Sequence, residues 1–204
     1  PCVVTRDYSV LLDTNILWSK TLRDWIFLLA FESDYRFFQP YVSSGILDEF
    51  GYRVRRKKPR LDDGVLEKWK QQIQDSARGT ISGFLVTDVP GYPDVHDLHV
   101  HAAAAYGGMH ALITNDAKLL DFAATVEGQE NQDYVTLSAD EFLMQLTEYA
   151  PPALFGDVYL CFEKYALNKG YTEFNICHAL EEAGAAQFAR FLRRTIIIRP
   201  EYCP

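Results

Sequence analysis

Pro93-Asp94-Val95-His96-Asp97-Leu98-His99-Val100-His101-Ala102-Ala103-Ala104 is closed by Gly107-Gly108 and followed at once by His110-Ala111-Leu112-Ile113-Thr114-Asn115-Asp116. In the first part Asp94 and Asp97 stand three apart, so on a helix they share a face, and Val100, Ala103 and Ala104 continue its buried side. In the second part the apolar run is too short for a helix and continuous enough for a buried parallel strand. That strand carries Thr114-Asn115-Asp116 at its carboxyl end, with a new helix from Ala117. The crevice of an open α/β sheet lies at the carboxyl ends of its strands, so Asp116 is delivered to the place where a ligand binds.

The same figure recurs upstream. Tyr8 to Leu12 reads as an apolar strand ending at Asp13, and Thr14-Asn15 open a helix whose Ile16, Leu17, Leu22, Ile26 and Leu29 cover one sheet face. Tyr35 to Val42 predicts a second strand, after which Ser43 or Ser44 caps a helix bearing Glu49. A helix from Leu61-Asp62-Asp63 runs to about Ala77, Gly83 to Val86 predicts a further strand, and Tyr134 to Leu137 a last one. Strand alternating with helix predicts the α/β class, a parallel sheet flanked by helices. At Ser138-Ala139-Asp140-Glu141, a capping box, the pattern turns wholly helical. Breaks at Pro151-Pro152, Asn168-Lys169-Gly170 and Ala183-Gly184 leave about four helices. The chain thus divides into residues 1–137, which hold the sheet, and 138–204, a small helical appendage.

The chain has 204 residues, nearly half of them hydrophobic, enough for one well-buried domain and an appendage. A net charge of −8 argues against generic, charge-driven nucleic-acid binding, yet allows an acidic pocket beside a local basic strip. Cys2, Cys161, Cys177 and Cys203 show neither zinc-ligand spacing nor a redox pair, which fits reduced thiols in a cytoplasmic protein. The sequence shows no apolar run of membrane-spanning length and no secretion leader.

Asp13, Glu49, Asp97 and Asp116 all fall at or beside one sheet edge, with Asp94 one turn from Asp97. Acids gathered there repel one another unless a divalent cation neutralises them, and an all-oxygen site suits Mg²⁺ or Mn²⁺. The chemistry implied is phosphodiester hydrolysis. Four of the five acids also have a plainer reading: Asp13, Asp94 and Asp116 as helix caps, Glu49 as an acid near a helix start. Arg53, Arg55, Arg56, Lys57, Lys58 and Arg60 form the only dense basic run, either a phosphate-contacting strip or a solvated helix end. Arg190, Arg193, Arg194 and Arg199 read as a solvated face, and Trp18, Trp25, Tyr35, Phe37 and Phe38 as core. His96-Asp97 invites comparison with the HD-domain phosphohydrolases, but those are all-helical and the strand-led Asp13 and Asp116 do not suit them. His99 is expected to be packed or hydrogen-bonded, and His101 to lie at the surface.

Taken together, Leu11-Leu12-Asp13-Thr14-Asn15, Ser44-Gly45-Ile46-Leu47-Asp48-Glu49-Phe50, the stretch from Pro93 to Ala104 and Ala111 to Asp116 resemble the PIN-domain nucleases. Within them the chain is similar to the VapC toxins of toxin-antitoxin pairs, over most of residues 8–137. The tail is similar to the helical extension of the longer VapC-like proteins. The resemblance implies a PIN-like fold and a metal-dependent endoribonuclease acting on structured RNA. It makes Asp13, Glu49, Asp97 and Asp116 the metal-binding acids around Mg²⁺ or Mn²⁺, with Thr14 and Asn115 orienting them and Asp94 as an accessory acid. It also implies a VapB-like antitoxin as partner and a homodimer formed through the PIN domain. The alternatives are a catalytically weak PIN-like RNA-binding or assembly module and a structure-specific DNA nuclease.

Overall fold

The structure is a computed structural model that describes residues 8–170 and 175–199. Cys2 and Cys203 lie outside the described residues, and Cys161 and Cys177 are free thiols. Five parallel strands form one sheet in the order β3-β2-β1-β4-β5: β1 Ser9–Leu12, β2 Gln39–Ser43, β3 Gly79–Ile81, β4 Ala111–Ile113 and β5 Val135–Leu137. β1 is buried along its whole length, as the central strand of a sheet covered on both faces must be.

From β1 the chain first builds outward through β2 and β3, then crosses back to place β4 on the other side. The strand order therefore reverses between β1 and β4, and there a crevice opens at the carboxyl ends. Leu12 pairs with Ile113 in the register, so Asp13 and Thr114 emerge side by side.

Short helices α1 Thr14–Trp18 and α2 Lys20–Glu32 follow β1, separated because Ser19 breaks the first and caps the second. α3 Ser44–Lys57 and α4 Asp63–Ser76 connect β2 to β3. A 3₁₀ turn, Val95–Asp97, leads into α5 Leu98–Tyr106, and α6 Ala117–Ala123 with α7 Val126–Asn131 lies between β4 and β5. The last part comprises α8 Ala139–Tyr149, α9 Pro152–Asn168, α10 Ile176–Glu182 and α11 Ala186–Phe191, closed by a π-turn at Leu192–Ile196. The Ser138 capping box that opens α8 is present.

The late helices share one hydrophobic core with the sheet, running from Tyr8 to Ile196. Trp25 of α2 is fully buried, with Phe162 of α9 stacked on it at 5.2 Å and Phe188 of α11 edge-on at 5.2 Å. Truncating such a ring to Ala costs about 3–5 kcal/mol, so the C-terminal helices help to hold α2 against the sheet.

The sequence expectations need correcting at three places. β2 starts at Gln39 rather than Tyr35, because Asp34 and Tyr35 both take positive φ and close α2 with a tight turn. No strand forms at Gly83–Val86: Leu85 is 84% exposed, Gly83 sits at φ +77°, and the strand lies earlier, at Gly79–Ile81. Gly79 suits that strand because a Cβ there would stand 3.0 Å from the Tyr41 ring. Finally, Asp94 and Asp97 do not share a helix face, since α5 begins only at Leu98 and Asp97 ends the preceding 3₁₀ turn.

Candidate functional site

Asp13 is the fixed point of the crevice. It leaves β1, caps α1, and is only 5% exposed. Its Oδ1 accepts from the Thr14 amide at 2.5 Å, and its Oδ2 from the Thr114 hydroxyl at 2.7 Å and from Asn15 Nδ2 at 2.5 Å. All three donors are uncharged. Burial therefore pushes the carboxyl up to about 6, the Thr114 and Thr14 hydrogen bonds pulling the other way and the negative charges of Glu49 and Asp97 adding to the rise.

Thr114, fully buried at the end of β4, is the hub of this network. Its Oγ accepts from Asn15 Nδ2 at 2.9 Å and from the Asp116 amide at 3.0 Å while donating to Asp13. Asn15 Oδ1 in turn accepts from the Asn115 amide at 2.9 Å. The Asp13-Thr14-Asn15 and Thr114-Asn115-Asp116 triplets thus lock together across two neighbouring strands. Thr114 and Asn15 were not among the expected site residues: the two strand ends carry the same hydroxyl, amide and acid residue types, but only the pairing of β1 with β4 brings them together.

Glu49 approaches from the second turn of α3. The buried Thr14 hydroxyl donates to its Oε2 at 2.5 Å, and Arg53 Nε donates to its Oε1 at 2.8 Å. Thr14 thus holds the Glu49 carboxylate in place. Asn115 does something else: its side chain turns away from the acids, donating to Ala183 O at 3.1 Å and accepting from the Ala139 amide at 3.0 Å. It ties the crevice to α8 and to the turn between α10 and α11. Gly184 makes that approach possible, because a Cβ there would lie 3.1 Å from Asn115 Nδ2 and its φ is +89°.

Asp97 faces the crevice from the start of α5 and makes no capping hydrogen bond. Burial raises its pKa, and repulsion from Asp94, Glu49 and Asp116 acts in the same direction. Asp116 caps α6, its Oδ1 accepting from the Lys118 amide at 2.8 Å. Asp94 caps the 3₁₀ turn, and the bond it accepts from the His96 amide at 2.9 Å holds its pKa below the usual carboxylate range. Lys118 stands 3.7 Å from it. Asp94 is thus primarily a cap, placed at the rim.

Among the described residues, no three His, Cys, Asp or Glu side chains are gathered as a group that could hold a metal ion as they stand. Glu49 is engaged by Thr14 and Arg53, and Asp116 by the first turn of α6. The chemistry of the donors nevertheless fits a hard divalent cation: every acid is a carboxylate, and Asp13 is buried without a cationic partner among the described residues.

The basic run is largely engaged locally. Arg53 pairs with Glu49, and Arg55 with Asp63 and the Leu61 carbonyl. Arg56 lies over Tyr52, Lys57 over Trp18 at 4.9 Å and Lys58 over Trp69 at 5.0 Å. Arg60 is exposed. Lys57 and Lys58 line a cavity of about 1190 Å³ with Trp18, Phe50, Trp69 and Phe162. Trp25 and Phe38 are core, with Trp18, Tyr35 and Phe37 packed partly buried against it. Arg190, Arg193 and Arg194 are exposed, Arg193 paired with Glu181. His101 is not a surface residue: it is half-buried, 2.8 Å from the Tyr134 hydroxyl, and burial lowers its pKa.

No family model, curated protein or solved structure matches the chain. Among the described residues no helix is long and apolar enough to cross a membrane.

Proposed function

We propose that this chain is a Mg²⁺/Mn²⁺-dependent endoribonuclease of the VapC-like PIN type, cutting structured RNA. The observation that carries the reading is Asp13: a buried carboxylate at the sheet's reversal point, fixed by three uncharged donors, with the charges of Glu49 and Asp97 bearing on it. A structure with no use for that charge would place a neutral residue there, since a buried carboxylate without a cation is costly. Asp13, Glu49, Asp97 and Asp116 are the residues that would hold the ion, which supplies Lewis acidity for phosphodiester hydrolysis.

The chain's own groups divide the remaining work. Thr114 and Asn15 hold Asp13 in one orientation, Thr14 holds Glu49, and Asp97 faces the crevice without a capping bond of its own. Either Glu49, which is partly exposed, or Asp116 positions the attacking water. Lys57, Lys58 and Arg60 contribute phosphate contacts with the rest of the basic run. By the same resemblance a VapB-like antitoxin occludes the crevice, and the chain pairs with a second copy through the sheet-bearing part.

With water rather than the RNA 2′-hydroxyl as nucleophile, the products carry 3′-hydroxyl and 5′-phosphate ends. Incubation of total RNA with the purified chain and Mn²⁺, followed by sequencing of fragment ends, tests this. Discrete cuts with those ends, abolished by EDTA, are expected; 2′,3′-cyclic phosphate ends would refute the mechanism.

A further inference from the structure

The cavity that Lys57 and Lys58 line is a groove walled by α2, α3, α4 and α9. Its apolar lining is mostly flat: eight aromatic rings stand against three aliphatic side chains, Leu28, Val54 and Ile73. Trp18 and Trp69 are half-buried and Phe31 is 68% exposed, so part of each ring is open to a ligand. Three rings carry a lysine: Lys57 over Trp18 at 4.9 Å, Lys58 over Trp69 at 5.0 Å and Lys20 over Tyr165 at 5.0 Å. All six of these residues line the groove.

The charge of the groove runs against that of the chain. Lys20, Arg23, Lys57 and Lys58 line it with only Asp24 and Asp75, in a chain of net charge −8. Asp24 is taken up by Lys20 and Arg23, whereas Lys57 and Lys58 pair with no carboxylate among the described residues. A ring holds one side of an ammonium, and the donors on its other side stay free for an anion. Flat rings beside unpaired cations match a ligand with flat apolar groups along an anionic backbone, which is single-stranded nucleic acid. A duplex keeps its base faces inside its own stack, and an acidic protein helix would gain more from aliphatic walls than from rings.

The groove also adjoins the crevice. Phe50, which lines it, follows Glu49 directly, and Lys57 lies eight residues beyond Glu49 on α3, about 12 Å along the helix. A strand leaving the crevice enters the groove within a few nucleotides.

We infer that this groove binds the unpaired stretch of RNA next to the cut, with bases stacked on Trp18 and Trp69 and phosphates on Lys57 and Lys58. The inference rests on the nuclease reading for the choice of RNA and adds the single-stranded part of the substrate to it.

The test is binding without cleavage. The full chain in EDTA is titrated at several salt concentrations with a labelled single-stranded RNA of about 12 nucleotides, with a duplex of the same sequence and with an acidic amphipathic peptide, each followed by fluorescence anisotropy. Wild type is expected to bind the single strand more tightly than the duplex. Trp69→Leu should weaken the single strand by about 5–150-fold at an unchanged salt slope, and Trp69→Phe, which keeps a π face, should recover most of that loss. The double variant Lys57→Gln/Lys58→Gln should flatten the salt slope instead. Tm is measured on every variant, and if Trp69→Leu is unstable the salt-slope comparison and Trp69→Phe carry the test. Equal affinity for strand and duplex overturns the inference, as does a single strand bound equally by wild type, Trp69→Leu and the double variant. So does a peptide that binds wild type and loses its affinity in Trp69→Leu while the RNA does neither, which would make the groove a protein-docking site. Expected binding with no RNA cut in Mn²⁺ would sink the nuclease reading and leave the groove standing; cutting by a wild type that holds no single strand here would sink this inference alone.

Discussion

The chain carries two concentrations of charge, and it treats them in opposite ways. Of the six cations between Arg53 and Arg60, two pair with carboxylates and three lie over aromatic rings. Of the four acids at the crevice, Glu49 meets a guanidinium, while among the described residues Asp13 is buried among uncharged donors. A charge stacked on its own neighbours serves the fold first. A charge fixed in a frame of neutral donors is held ready for something else, and that difference supports the proposal that the crevice, rather than the basic strip, is the chemical centre.

Asp13→Asn breaks the comparison most severely. It removes one buried charge and keeps the shape, and cleavage of RNA in Mn²⁺ should fall by about 1,000-fold or more, read as kcat/KM on a mapped substrate. The same residue gives a stability test that is independent of any substrate. Burial raises its pKa from the ordinary 3.8 to about 6, so the folded protein holds that proton more tightly than the unfolded chain does. The resulting advantage is complete at low pH and is lost as pH rises through about 6. The gap between the two values corresponds to about 3 kcal/mol. Denaturant unfolding in EDTA from pH 4 to 7 should show wild type losing about that much relative to Asp13→Asn; parallel curves would mean that no such charge is buried.

Thr114→Val tests the frame rather than the charge. It removes the donor to Asp13 and the acceptor for Asn15 and the Asp116 amide, and should lower kcat/KM by about 10–100-fold with Mn²⁺ affinity falling alongside. The smallest effects belong to the basic strip. Lys57→Gln and Lys58→Gln each forfeit a cation-aromatic contact of about 0.5–1 kcal/mol. Each should also reduce the salt dependence of RNA affinity by about one in slope, measured by filter binding at several ionic strengths. An unchanged slope would assign both lysines to the fold alone.

What the sequence made legible follows from how local each signal is. Asp13 and Asp116 end apolar strands and open helices, so four or five residues suffice to place them at the sheet edge, and the five-stranded parallel sheet follows from that repetition. The Thr114 hub was hidden because it depends on β1 and β4 lying side by side, a contact across about a hundred residues that no local pattern encodes. β3 was misplaced for a related reason. Three residues including a glycine become a strand by pairing with Tyr41–Ser43, whereas the more apolar Gly83–Val86 finds no neighbour to pair with in this sheet. Asn115, to which the resemblance gives a role in orienting the acids, turns its side chain to Ala183 and Ala139. Strand ends announce which residues reach the crevice, and only the folded arrangement says which of them turn inward.

The claim on which the rest depends is that the four carboxylates form a divalent-cation site. Calorimetric titration of Mn²⁺ into the metal-free chain at neutral pH, beside Asp13→Asn, tests it directly. Saturable binding that is lost or strongly weakened in the variant is the expected result. No heat up to millimolar Mn²⁺, or equal binding by both proteins, would contradict the account.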